Sequence, residues 1–139
     1  MPKANPLKRV EAALRRAALA YPQTAEEFPW GHTAVKVKGK AFLFMSWDDD
    51  QTLGLSVKLP TSRTLVLSLP FAFRTPYGLG KSGWVSARFG PKDEVPLEML
   101  LEWLDESFRA IAPKKVLAQL ESAERDGEPP PRKAVRKKT

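Results

Sequence analysis

Residues 34–59 read AVKVKGKAFLFMSWDDDQTLGLSVKL, and this stretch decides the fold. Ala34 to Lys38 alternates, with Val35 and Val37 opposite Lys36 and Lys38, which is the period of a half-buried strand. Gly39-Lys40 is a turn, and Ala41 to Trp47 is a nearly continuous apolar run, as a central strand requires. Asp48-Asp49-Asp50 makes the next turn. Beyond it Leu53, Leu55, Val57 and Leu59 alternate with Thr52, Gly54, Ser56 and Lys58. Three strands joined by short turns predict an antiparallel meander.

Upstream, Asn5-Pro6 reads as an N-cap followed by proline at the first helical position. Leu7, Val10, Leu14, Ala17, Ala18 and Tyr21 recur at helical spacing until Pro22. Residues 23–31 read as a loop. Downstream, Pro60 opens a short apolar helix over 61–69, and the Gly- and Pro-rich stretch from Phe71 to Gly83 reads as a long loop. Trp84 to Phe89 is a further strand, with Trp84, Ser86 and Arg88 opposite Val85, Ala87 and Phe89. After Pro96, Leu97, Leu100, Leu101, Leu104, Phe108 and Ile111 line one face of a helix, with Glu98, Glu102, Asp105 and Glu106 placed on the other. Pro113 breaks it, and a last short helix covers 114–124. The order of elements predicts one α+β domain over residues 1–125, its terminal helices covering one face of an antiparallel sheet. Residues 126–139, with three consecutive prolines and five basic residues, predict a disordered tail.

The net charge of +7 is unevenly spread. Residues 1–16 carry five basic residues against one acidic, and residues 126–139 five against two, while 17–125 are balanced at 13 of each sign. Within that body, 28–92 hold nine basic against three acidic, and 93–125 hold four against eight. A basic middle with basic ends suits a polyanion. There is no cysteine, which excludes disulfides and thiolate metal sites and fits a reducing, cytoplasmic setting. No apolar run is long enough for a membrane span, and the N-terminus has no apolar signal-peptide core, so no membrane partner is expected.

Catalytic and metal sites find little to build on. His32 is the only histidine, so no histidine pair or triad exists. Asp48-Asp49-Asp50 lacks the glycine and the bidentate glutamate of an EF-hand, where Leu53 and Leu59 stand, and reads as a solvated turn. Gly78-Leu79-Gly80-Lys81-Ser82 resembles the end of a phosphate-binding loop. Thr75 occupies its first glycine position, and a strand follows instead of a helix. The chain is therefore expected not to be an enzyme, and to carry no cofactor and no metal. The polar side of the sheet is more promising. Lys36, Lys38, Lys58 and Arg88 are expected to share a face with Trp84, with Lys81 at its edge. Cations interleaved with an aromatic ring suit a phosphate backbone and its bases, although a solvated sheet face would also be polar.

Several fixed words occur in order. They are Phe28-Pro29-Trp30-Gly31, Val35-Lys36-Val37-Lys38-Gly39-Lys40, Leu55-Ser56-Val57-Lys58, Gly80-Lys81 with Trp84-Val85, and Ala112-Pro113-Lys114-Lys115 closing the amphipathic helix. Together, over about residues 8–120 of the sequence, they resemble the MmcQ/YjbR family of bacterial proteins. The resemblance implies a CyaY-like (frataxin-like) fold and DNA binding through the meander and its loops. By motif it carries over Lys36, Lys38, Lys58, Lys81 and Trp84; Arg88 follows from strand alternation. Two features depart from the family: Ser82-Gly83 replaces a more polar word, and the basic tail lies outside the pattern. The first helix is basic, so an iron-binding acidic ridge does not carry over. The expected function is DNA binding of low sequence specificity by a monomer. The alternative is a non-enzymatic accessory module that contacts a protein or small ligand through the acidic helix or the Phe71–Gly83 loop.

Overall fold

The computed structural model describes residues 6–28, 32–48, 51–76 and 82–125. Helix α1 (Pro6–Leu19) is followed by strands β1 (Thr24–Glu27), β2 (Thr33–Val37), β3 (Lys40–Asp48) and β4 (Thr52–Lys58). Next come α2 (Arg63–Val66), β5 (Ala72–Arg74), β6 (Trp84–Phe89), α3 (Leu97–Ile111) and α4 (Lys114–Arg125). The strands form one antiparallel sheet in the order β1-β2-β3-β4-β6-β5. Lys81 and residues 126–139 lie outside the described residues, as do Pro29 to Gly31, Asp49 and Asp50.

The meander forms as its alternation requires, and the two expected loops each contain a strand. Residues 24–27 pair with β2, and residues 72–74 pair with β6. Thr-Ala-Glu-Glu has little strand propensity of its own, but an edge strand needs only one neighbour and one buried side. Its alternation shows in the ion pairs: Glu26 reaches Arg15 of α1 at 2.9 Å, while Glu27 reaches Lys36 at 2.9 Å on the opposite face. Ala72-Phe73-Arg74 is similarly hidden from a reading of propensity by the prolines and glycines around it.

All four helices contribute to one core on one face of the sheet, through Leu7 and Leu14 of α1, Val66 of α2, Leu100, Leu104 and Phe108 of α3, and Val116 and Leu120 of α4. They pack on Val35, Val37, Leu43, Leu55, Val57 and Val85. The packing is polar at chosen points. Tyr21 stacks on Phe108 with ring centroids 4.3 Å apart, and its hydroxyl donates to Asp105 at 2.8 Å. Asp105 also accepts from Arg109 Nε at 2.8 Å and is only 3% exposed. The sequence placed Asp105 on the solvent side of α3. The structure turns it inward, because Tyr21, two residues beyond the end of α1, packs on that flank and supplies a hydroxyl that a buried carboxylate needs.

A bulge shapes the middle of the sheet. Val35 pairs with Leu43 and Lys36 with Ala41, which leaves Phe42 as an extra residue on β3. The described β3–β4 ladder starts at Phe44 and Ser56. Ser107 of α3 bridges the opening: its hydroxyl donates to the Phe42 carbonyl at 2.6 Å and accepts the Lys58 amide at 2.9 Å. One side chain thereby satisfies a donor and an acceptor that a direct ladder bond would have paired. Glu106, beside it, accepts from the amides of Thr61 and Ser62 at 2.9 and 3.0 Å and from the Ser62 hydroxyl at 2.6 Å, satisfying free amides at the start of α2.

Candidate nucleic-acid interface

The second face of the sheet carries no described helix. Its composition follows from strand register, since residues paired across an antiparallel sheet point the same way. One row crosses all six strands: Glu27, Ala34, Phe44, Ser56, Ser86 and Phe73. Toward the end of β3 the next row holds Ser46, Gly54 and Arg88. On the other side, Lys58 pairs with Trp84.

The centre of this face is low. Phe44 and Phe73 stand three strand spacings apart, about 14 Å, and only serines lie between them in the row. The floor is hydrogen-bonded sideways: Ser56 and Ser86 hydroxyls are 2.7 Å apart, and Thr75 reaches Ser86 at 2.9 Å. Gly54 keeps the adjacent position empty. A Cβ there would meet nothing nearer than the Ser46 hydroxyl at 3.4 Å, so packing within the protein does not demand glycine. The result is an open recess of about 380 Å³, bounded by Phe44, Phe73, Thr75, His32 and Arg88. Among the described residues no three His, Cys, Asp or Glu side chains gather in a way that could hold a metal ion.

Of the described lysines, arginines and carboxylates on this face, only Arg88 and Asp48 line the recess, and the lysines stand apart from it. Lys36 shares the face but is held by Glu27. Arg88 lies over the Phe73 ring at 5.4 Å and 3.5 Å from Asp48, both charged side chains being more than half exposed. A pair so exposed is worth little and opens readily for another anion. Lys58 stands on the same face beside Trp84. Two expectations need correction. Lys38 does not extend the strand: it has φ of 49° and lies exposed in the turn before Gly39, outside the row. Trp84 does point to this face, but it is 7% exposed and its ring tilts against Phe44 at 5.5 Å, so it supports the recess and offers no free stacking surface. Lys81 lies outside the described residues.

The aromatic residues at the recess are thus Phe44 and Phe73, which sequence reasoning did not single out. Phe44 was hidden in a run apolar on both faces, and Phe73 in a stretch that read as loop. A signal did exist for the floor. Thr52, Gly54, Ser56 and Lys58 form the polar side of β4, and two of its central positions are unusually small for a solvated sheet face.

A second cavity, of about 770 Å³, lies between α2 and α3 on the helical side. Leu65 is 76% exposed at its lip, Met99 is partly exposed, and Glu102 and Glu106 line its α3 side.

Comparison with known proteins bears on the fold and family. A family model described as YjbR matches residues 19–110. The structure is similar to the crystal structure of Deinococcus radiodurans protein DR2400, whose family-model domain is DUF419. The TM-score is 0.60 at 26% sequence identity, over 76% of this chain and 80% of that one. No functionally curated protein matches the chain.

Proposed function

We propose that this chain, which belongs to the YjbR family, is a DNA-binding protein of low sequence specificity that works as a non-catalytic cytoplasmic monomer. The observation that carries the proposal is the sheet face that no described helix covers, where Lys36, Lys58 and Arg88 share one surface with a recess bounded by two phenylalanines, Arg88 at its edge. Cations at the rim suit phosphates, which position a strand without reading its sequence. The described residues include no helix long and apolar enough to cross a membrane. The CyaY-like fold belongs to the same proposal; it is supported by terminal helices that pack on one side of an antiparallel sheet.

The test is a salt titration of DNA binding with residues 126–139 deleted, so that the five basic residues beyond Arg125 cannot supply the signal. The truncated protein is expected to retain DNA affinity at low salt. Changing Lys36 and Lys58 to Gln should then lower it and reduce the slope of log affinity against log salt by about 1–2 on duplex DNA. Affinity that vanishes with the tail removed would refute the sheet-face proposal. The groove between α2 and α3, with Leu65 exposed at its lip, favours a second reading as a protein-binding module. That reading requires Leu65→Lys to abolish partner binding while DNA binding is unchanged.

A further inference from the structure

We infer that the recess on the open sheet face takes one unstacked base, so that single-stranded DNA is the preferred ligand over duplex. The inference rests on the DNA-binding reading and deepens it.

A merely solvated sheet face would carry long polar side chains at its centre. Here the central positions of β4 and β6 are Gly54, Ser56 and Ser86, and the taller groups stand around them as walls. Phe44 and Phe73 close two sides, and Phe73 is 38% exposed, which leaves ring surface for stacking. A planar heterocycle stacked on one of the two rings, which stand about 14 Å apart, is the chemistry that fits over a polar floor of this width.

The floor also accounts for tolerance of different bases. Ser56, Ser86 and Thr75 form a chain of three hydroxyls joined by two hydrogen bonds, and either atom of each bond can donate. Three hydroxyl protons serve two internal bonds, so one proton remains to be given outward. Reversing the chain changes which hydroxyl offers it. Ser56 is the least buried member, so it can meet either an acceptor or a donor on the edge of a base. Lys58 and Arg88 lie two residues from the serine row on opposite sides, where a strand's phosphates pass before and after the base.

Duplex DNA cannot use this recess directly. Its bases are stacked and paired, and extracting one costs a few kcal/mol. Ser86, at 4% exposure, is out of reach of an outer phosphate backbone. A duplex would therefore meet only the rim cations.

Fluorescence anisotropy on the full chain tests this with three labelled probes of equal length, about 12 nucleotides. They are oligothymidylate, an abasic strand with the same phosphates, and a duplex. Oligothymidylate is expected to bind about tenfold more tightly than either of the others. Gly54→Val should remove that advantage by filling the recess, while leaving the abasic strand bound as before. Should Gly54→Val fail to fold, Phe73→Ala on the edge strand makes the same test. Equal binding of the three probes, or oligothymidylate binding that neither substitution alters, would overturn the inference and leave the DNA-binding proposal standing. Thymidine monophosphate competing as well as the strand would overturn it too, by giving the recess to a free nucleotide. Failure to bind any probe would refute both.

Discussion

Replacing Ser107 by Ala removes one hydroxyl and strands two backbone groups. Ser107 is fully buried, its oxygen joining the Phe42 carbonyl to the Lys58 amide at the place where the bulge parts β3 from β4. Alanine is a better helix former than serine, so α3 itself gains slightly. The loss lies across the interface: an unpaired buried donor or acceptor costs about 1–3 kcal/mol each. The two together set an expected destabilisation of about 2–5 kcal/mol. That is a large share of the roughly 5–15 kcal/mol that holds a domain together. Urea denaturation followed by circular dichroism measures it. With a slope of about 2 kcal/mol per M, the midpoint should fall by about 1–2.5 M at unchanged slope. Ser107→Cys, which keeps the shape and a weak donor, should fall between. A loss below about 0.5 kcal/mol, the range of ordinary surface changes, would refute the bridging role and mean that the strands pair directly without the hydroxyl.

Other substitutions test the remaining assignments. Leu104→Ala, at a fully buried position of α3, is expected to cost about 2–5 kcal/mol in the same assay. A change no larger than that of a surface mutant would show that this face is not the core. Tyr21→Phe removes the hydroxyl that meets Asp105 while keeping the ring stacked on Phe108; a loss of about 1.5–3 kcal/mol is expected, since the acceptor is a carboxylate. Trp84→Ala should lower stability by about 3–5 kcal/mol, as for other buried tryptophans. A weakening of DNA binding with thermal stability unchanged would instead return the indole to the role of a free stacking surface.

The alternation of residues 34–59 was sufficient by itself to determine the meander, and the stripe from Leu97 to Ile111 determined the helix that covers it. Both signals are local, because a period of two or of 3.6 is written into consecutive residues. Family membership was also legible, from short words in a fixed order. Tertiary structure decided what periodicity cannot carry. The edge strands β1 and β5 exist because a neighbour offers unpaired amides and carbonyls, a property of β2 and β6 and not of Thr24–Glu27 or Ala72–Arg74. Asp105 is buried because Tyr21, 84 residues away, brings a hydroxyl to it. Lys38 leaves the polar face because the turn to β3 takes it into a left-handed conformation. The recess depends on register across four strands, which places Phe44, Ser56, Ser86 and Phe73 in one row. No single segment contains the recess: β3 brings Phe44, Ser46 and Asp48, β4 brings Gly54 and Ser56, β6 brings Ser86 and Arg88, and the β5 segment brings Phe73 and Thr75. Only pairing between strands distant in sequence turns small side chains in the middle and rings at the ends into a site.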